Sequence, residues 1–177
     1  GGAGVTLISV RTDLDRRILK LYQQGQAARR QERMLEAVRV YERALAEDPY
    51  KESELYYQIE DEIQGIRGQL HEQVRPLVTE ALSLIEQGRL PEARQRLADA
   101  VARDPYYAPA TSRLKQVEGE LARKAAKLLS SAQASESAGE LEDAVQLYRQ
   151  VLSSIPDPSN PLHQKAALRL EQLKRGP

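Results

Sequence analysis

The chain has 177 residues, 41% of them hydrophobic and 29% charged, with 26 basic side chains balanced by 26 acidic ones. Phosphate neutralisation supplies most duplex affinity, so a net charge of zero argues against a nucleic-acid partner. The absence of Cys removes disulfides, zinc–thiolate sites and thiol catalysis, and no apolar run reaches the roughly 18 residues that span a bilayer, so no direct membrane insertion is expected.

Ala, Leu, Gln, Glu and Arg dominate, the residues that lose least on entering a helix, while the eight Tyr supply every aromatic ring. This composition predicts an all-α protein. Arg outnumbers Lys by 19 to 7, a compositional pointer to a GC-rich bacterial genome and a soluble protein of cytoplasm or periplasm. Gly1-Gly2-Ala3-Gly4 reads as a linker, and the chain as a piece or mature form of something larger.

Residues 1–11, including the β-prone "VTLISV", read as a flexible lead-in or linker, with a strand added to a partner's sheet as the alternative. Residues 12–177 read as one helical repeat domain. Thr12 or Asp13 can cap a first helix whose apolar stripe is Ile18, Leu21, Tyr22 and Ala28. A turn near Gln31–Arg33 precedes a short amphipathic helix that Asp48-Pro49 stops. Long helical text from Glu52 to Glu86 ends before Gly88, and a second short helix stops at Asp104-Pro105. A further long helix spans about Ala110 to Ser137, Gly139 breaks it, a third short helix stops at Pro156, and Leu162 to Lys174 close the chain. Tyr50, Tyr106 and Tyr107 follow two of these stops and are expected to pack over the turns, with an exposed aromatic rim as the alternative.

The three short helices repeat one pattern. Ala37, Ala93 and Ala144 are each followed four residues on by Tyr41, Leu97 or Tyr148. Seven on come Ala44, Ala100 or Val151, and twelve on Pro49, Pro105 or Pro156. Twelve residues before each anchor stands Gly25, Ala81 or Ala132. This pattern resembles the tetratricopeptide repeat, a helix–turn–helix unit of about 34 residues. The resemblance implies an α-solenoid-like stack, with repeat cores at about 18–51, 74–107 and 125–158. Small residues admit close helix approach, the ring fills the gap, and proline turns the chain.

The anchors stand 56 and 51 residues apart rather than at the family's period, which assigns the surplus to elongated connecting helices. Their apolar residues (Tyr56, Ile59, Ile63, Ile66, Leu70, Val74, Leu77 and Ala110, Leu114, Val117, Leu121, Ala125, Leu128, Ala132) fall at heptad-like steps. The two spacers are expected to pack on each other antiparallel, or else to leave a seam for a homodimer. Gly65, Gly68 and Pro76 predict a kink or break, and a hinge at Pro76.

Catalytic chemistry is not visible. His71 and His163 stand alone, and the metal-binding HExxH, the dinucleotide GxGxxG and the Walker-type phosphate loop are all missing. Neither a metal site, a cofactor nor an enzymatic activity is expected. The family resemblance implies instead that the first helix of each unit lines a partner-binding groove. The implied residues are Leu19, Tyr22, Gln26, Arg29 and Arg30 in the first unit, Arg75 in the second, and Gln133 and Glu136 in the third. Arg29 and Arg30 with Tyr22 could clamp an acidic or carboxylate-ended peptide by forked hydrogen bonds. Residues 1–43 carry 9 basic and 5 acidic side chains and residues 44–75 carry 3 and 8, which would steer an oppositely charged partner. The expected function is a protein–protein interaction module or scaffold, a segment of a larger bacterial protein in a multiprotein complex. The alternative is a self-associating, coiled-coil-like spacer.

Overall fold

A computed structural model describes the backbone of residues 2–176 and the side chains of residues 12–176. Among the described residues every regular element is an α-helix: α1 (Gly2–Arg30), α2 (Met34–Ala46), α3 (Tyr56–Glu86), α4 (Leu90–Arg103), α5 (Ala108–Ser137), α6 (Leu141–Ser154) and α7 (Pro161–Arg175). Long and short helices alternate, with 29, 31 and 30 residues in α1, α3 and α5 against 13, 14 and 14 in α2, α4 and α6. The surplus length lies at the N-terminal ends of the long helices. They begin at residues 2, 56 and 108, well ahead of the repeat cores at 18, 74 and 125.

Helix α1 therefore contains residues 2–11, where the sequence suggested a flexible lead-in, and it starts upstream of the cap expected at Thr12 or Asp13. The first long helix has the same N-terminal extension as the other two.

The chain divides into two compact units, Gly1–Arg75 and Pro76–Pro177, where one domain was expected. In the first unit Ile18, Tyr22 and Ala28 of α1 and Ala37, Val38, Tyr41 and Ala44 of α2 form the core with Ile59, Ile63, Ile66 and Leu70 of α3. In the second unit α5 packs on α4, α6 and α7. Ala125, Leu129 and Ala132 meet Ala144, Tyr148 and Val151 there, and Ala166 and Leu170 of α7 close the cluster. Ile59, Ile63, Ile66 and Leu70 of the first spacer are thus buried with α1 and α2, the neighbours nearest in sequence. Val117, Leu121 and Ala125 of the second spacer are likewise buried.

Helix α3 runs unbroken through Gly65, Gly68 and Pro76, against the expectation of a break. Its inner face explains this. Ile66 and Val74 are completely buried and Leu70 nearly so, which outweighs about 1 kcal/mol lost at each glycine. Pro76 and Glu72 are both exposed, so water can take up the Glu72 carbonyl that proline leaves without a donor.

Each long helix ends in a left-handed residue that reverses the chain, Gly88 at φ 73° and Gly139 at φ 80°. Arg89 N–H donates to Leu84 O, and Glu140 N–H to Ser135 O, both at 2.9 Å, closing a six-residue Schellman turn. The first repeat makes the same turn, Arg33 N–H to Ala28 O at 3.0 Å, with Glu32 at φ 60° in the glycine position. Asp48 and Asp104 are almost completely buried. Asp48 accepts from the backbone N–H of Glu52 (2.9 Å) and Ser53 (2.8 Å), and Asp104 from that of Tyr106 (3.0 Å). The Asp-Pro stop is therefore also a carboxylate cap on the turn to the next helix.

Candidate protein-interaction site

A concavity of the first unit grows from one close approach. A Cβ on Gly25 would lie 2.2 Å from Tyr41 Cε1, so the bare helix backbone of α1 is the seat of the Tyr41 ring. Tyr22 packs beside it, ring centroids 5.9 Å apart and planes 30° apart, and its hydroxyl accepts from Gln58 Nε2 at 2.8 Å. Tyr41 is completely buried and its hydroxyl makes no hydrogen bond. Beyond the ring opens a pocket of about 320 Å³ lined by Gln26, Arg29, Arg30, Tyr41 and Glu62.

The charges around this pocket are unequal. Arg29 Nη1 donates to Glu62 across from α3, so its charge is already matched. Arg30 is exposed and forms no ion pair among the described residues. Two guanidinium groups and one carboxylate leave a net positive rim, complementary to an anionic group.

Burial, and next the Glu62 carboxylate, push the Tyr41 phenol from 10.0 up to about 12. An unfolded tyrosine ionises near 10, so between pH 10 and 12 the unfolded chain releases this proton first. The stability that neutral Tyr41 contributes is complete below pH 10 and lost as pH rises toward 12, about 2–3 kcal/mol in all. Tyr41→Phe should therefore remove this part of the alkaline loss. Because the hydroxyl has no partner, it should leave stability at pH 7 unchanged or raised. Urea unfolding of both proteins at pH 7, 9, 10.5 and 11.5 checks this; parallel alkaline limbs would contradict it.

Three of the five residues assigned to the first groove, Gln26, Arg29 and Arg30, line this pocket together. Tyr22 instead belongs to the core beneath it, and Leu19 stands apart on the surface at 45% exposure. Arg75 is exposed and pairs with Glu72 at 2.9 Å, one turn away on its own helix. Gln133 is exposed, while Glu136 accepts from Arg169 Nη2 (2.6 Å) and Nε (3.0 Å) of α7. Arg29 and Glu136 thus meet internal partners first.

Their partners show a regularity that the sequence conceals. Arg29–Glu62 and Glu136–Arg169 join positions equivalently spaced about the anchors Ala37 and Ala144, each across 33 residues, with the signs exchanged. Tyr148, the counterpart of Tyr41, is again completely buried, with its hydroxyl beside the Arg169 guanidinium. Among the described residues no cluster of His, Cys, Asp or Glu could hold a metal ion, and no helix is long and apolar enough to cross a membrane.

Alternating long and short helices, small residues under a ring and proline-terminated turns define a helical-repeat protein of the kind that binds other proteins. Two models of the tetratricopeptide repeat match the chain, one over residues 20–58 and another over residues 78–161. The chain belongs to the tetratricopeptide repeat family. No curated protein matches it.

Proposed function

We infer that this chain is a non-enzymatic interaction module of a larger assembly, and that its first unit holds an acidic segment of a partner protein in the Gln26–Arg30 pocket. Tetratricopeptide repeats mediate protein–protein interaction, and the observation that carries the finer reading is the unmatched Arg30 at the rim of a concave, net-positive pocket. Arg30 supplies the forked donor for a carboxylate, Gln26 can offer its amide, and the Arg29–Glu62 bridge fixes the wall. Burial of Ile59, Ile63, Ile66 and Leu70 with α1 and α2 supports this reading over a self-associating spacer.

The test uses a fluorescein-labelled decapeptide ending in Asp-Glu-Glu with a free carboxylate, compared with an amidated Asn-Gln-Gln counterpart. Arg30→Ala should weaken binding of the acidic peptide about tenfold, the scale of one charge-assisted contact, with helicity unchanged. Arg29 is left intact because its removal would strand Glu62. Equal binding of the two peptides, or indifference to Arg30→Ala, would sink the proposal.

A further inference from the structure

The outer face of α3 carries a second feature, independent of the pocket. Tyr57 is 61% exposed and Tyr50, in the turn before the helix, 84% exposed, although both rings are large enough to fill a core. Asp61 stands one turn after Tyr57, and at helical spacing Gly65 and Gly68 continue the same stripe, opposite the buried Ile59, Ile63 and Ile66. Added Cβ atoms at Gly65 and Gly68 would meet nothing within 4 Å. No internal packing therefore requires two residues that each weaken a helix by about 1 kcal/mol. A shallow groove of about 740 Å³ opens there, lined also by Met34, Gln69, Glu72 and Gln73.

Charge identifies what such a surface would accept. Glu52, Glu54 and Asp61 are exposed and form no ion pairs among the described residues. The cation nearest the tyrosines in sequence, Lys51, is already used: its Nζ lies 5.2 Å from the centroid of the Tyr56 ring. That contact shows the mode of recognition, a cation on a tyrosine face within an acidic surround. Guanidinium groups do this better than ammonium groups, because a planar fork can stack on a ring while its edge bonds a carboxylate.

We propose that the outer face of α3, from Tyr50 and Tyr57 to the bare backbone at Gly65 and Gly68, docks an arginine-bearing segment of a partner protein. Arginines stack on Tyr50 and Tyr57 and bond Glu54 and Asp61. The glycines let the segment lie close along the helix. This surface differs from the Arg30 pocket in both location and sign, so one module can hold an acidic and a basic segment at once.

The test is fluorescence anisotropy with two labelled probes, nona-arginine and nona-lysine, titrated with the full chain at 150 mM salt. Nona-arginine should bind at least fivefold more tightly. Tyr50→Ala with Tyr57→Ala should abolish that preference, and Asp61→Asn with Glu54→Gln should weaken both probes. Gly68→Leu, exposed and harmless to the core, should weaken nona-arginine by obstructing the track. Equal affinity for the two probes, or binding that ignores the tyrosines, would mean general attraction to acidic groups and would overturn the proposal. Arg30→Ala should leave nona-arginine binding unchanged, which separates this outcome from failure of the acidic-peptide site.

Discussion

Ala93→Arg is expected to unfold much of residues 76–177 while the first unit keeps its structure. Ala93 has no exposed surface on α4, and the side chain that replaces it is long and cationic. Burying an unpaired charge and overfilling a helix contact act together here, for a loss of about 4 kcal/mol or more. That is a large share of the 5–15 kcal/mol that stabilises a typical domain. Hydrogen exchange resolves the outcome by region. Amides of α4, α5 and α6 should lose protection while those of α1 and α2 retain it. If the variant melts like the parent with full protection, the repeat register assigned to Ala93 is wrong.

Gly25→Ala sets two rules against each other. Intrinsic propensity favours alanine in mid-helix by about 1 kcal/mol. The new methyl, however, would sit 2.2 and 2.5 Å from two ring atoms of Tyr41, a residue with no exposed surface and Tyr22 on its flank. Overpacking of this kind costs about 1–3 kcal/mol, or more where the neighbour cannot yield. We expect a net loss of about 1–2 kcal/mol in urea unfolding. Combining Gly25→Ala with Tyr41→Leu should cost less than the sum of the two single changes, because the ring is the obstacle. A rise in midpoint for Gly25→Ala alone would show that the ring does not depend on the glycine.

The repeat pattern was legible because it rests on residue size at fixed spacing: Gly25 under Tyr41, Ala132 with Tyr148, and proline after each short helix. Helix order followed from the same text, with ends agreeing to within a few residues for α2, α4, α5 and α6. What the sequence did not show depends on partners distant along the chain. Arg29 reads as a groove residue until Glu62, 33 residues on, is seen to hold it, and Glu136 is likewise held by Arg169. One tyrosine after a turn also reads differently: Tyr50 was expected to cover its turn, with an exposed aromatic rim as the alternative, and it faces water. The burial of Asp48 and Asp104 was within reach of sequence reasoning. An aspartate at the same place in two repeats, just after a helix, is well placed to accept the next backbone N–H groups. Reading it only as a breaker with its proline missed that capping role.

Repeat proteins invite modular exchange, in which one helix pair is cut out and another grafted in. The exchanged signs of the Arg29–Glu62 and Glu136–Arg169 bridges limit that freedom. Transplanting α7 into the place that α3 holds against α1 would set arginine against arginine, and the reciprocal graft would set carboxylate against carboxylate. Each closing helix therefore carries a polarity that fits only its own predecessor, as two plugs of opposite gender fit only their own sockets. Shuffling within this chain is disfavoured by electrostatics even where the apolar surfaces would match.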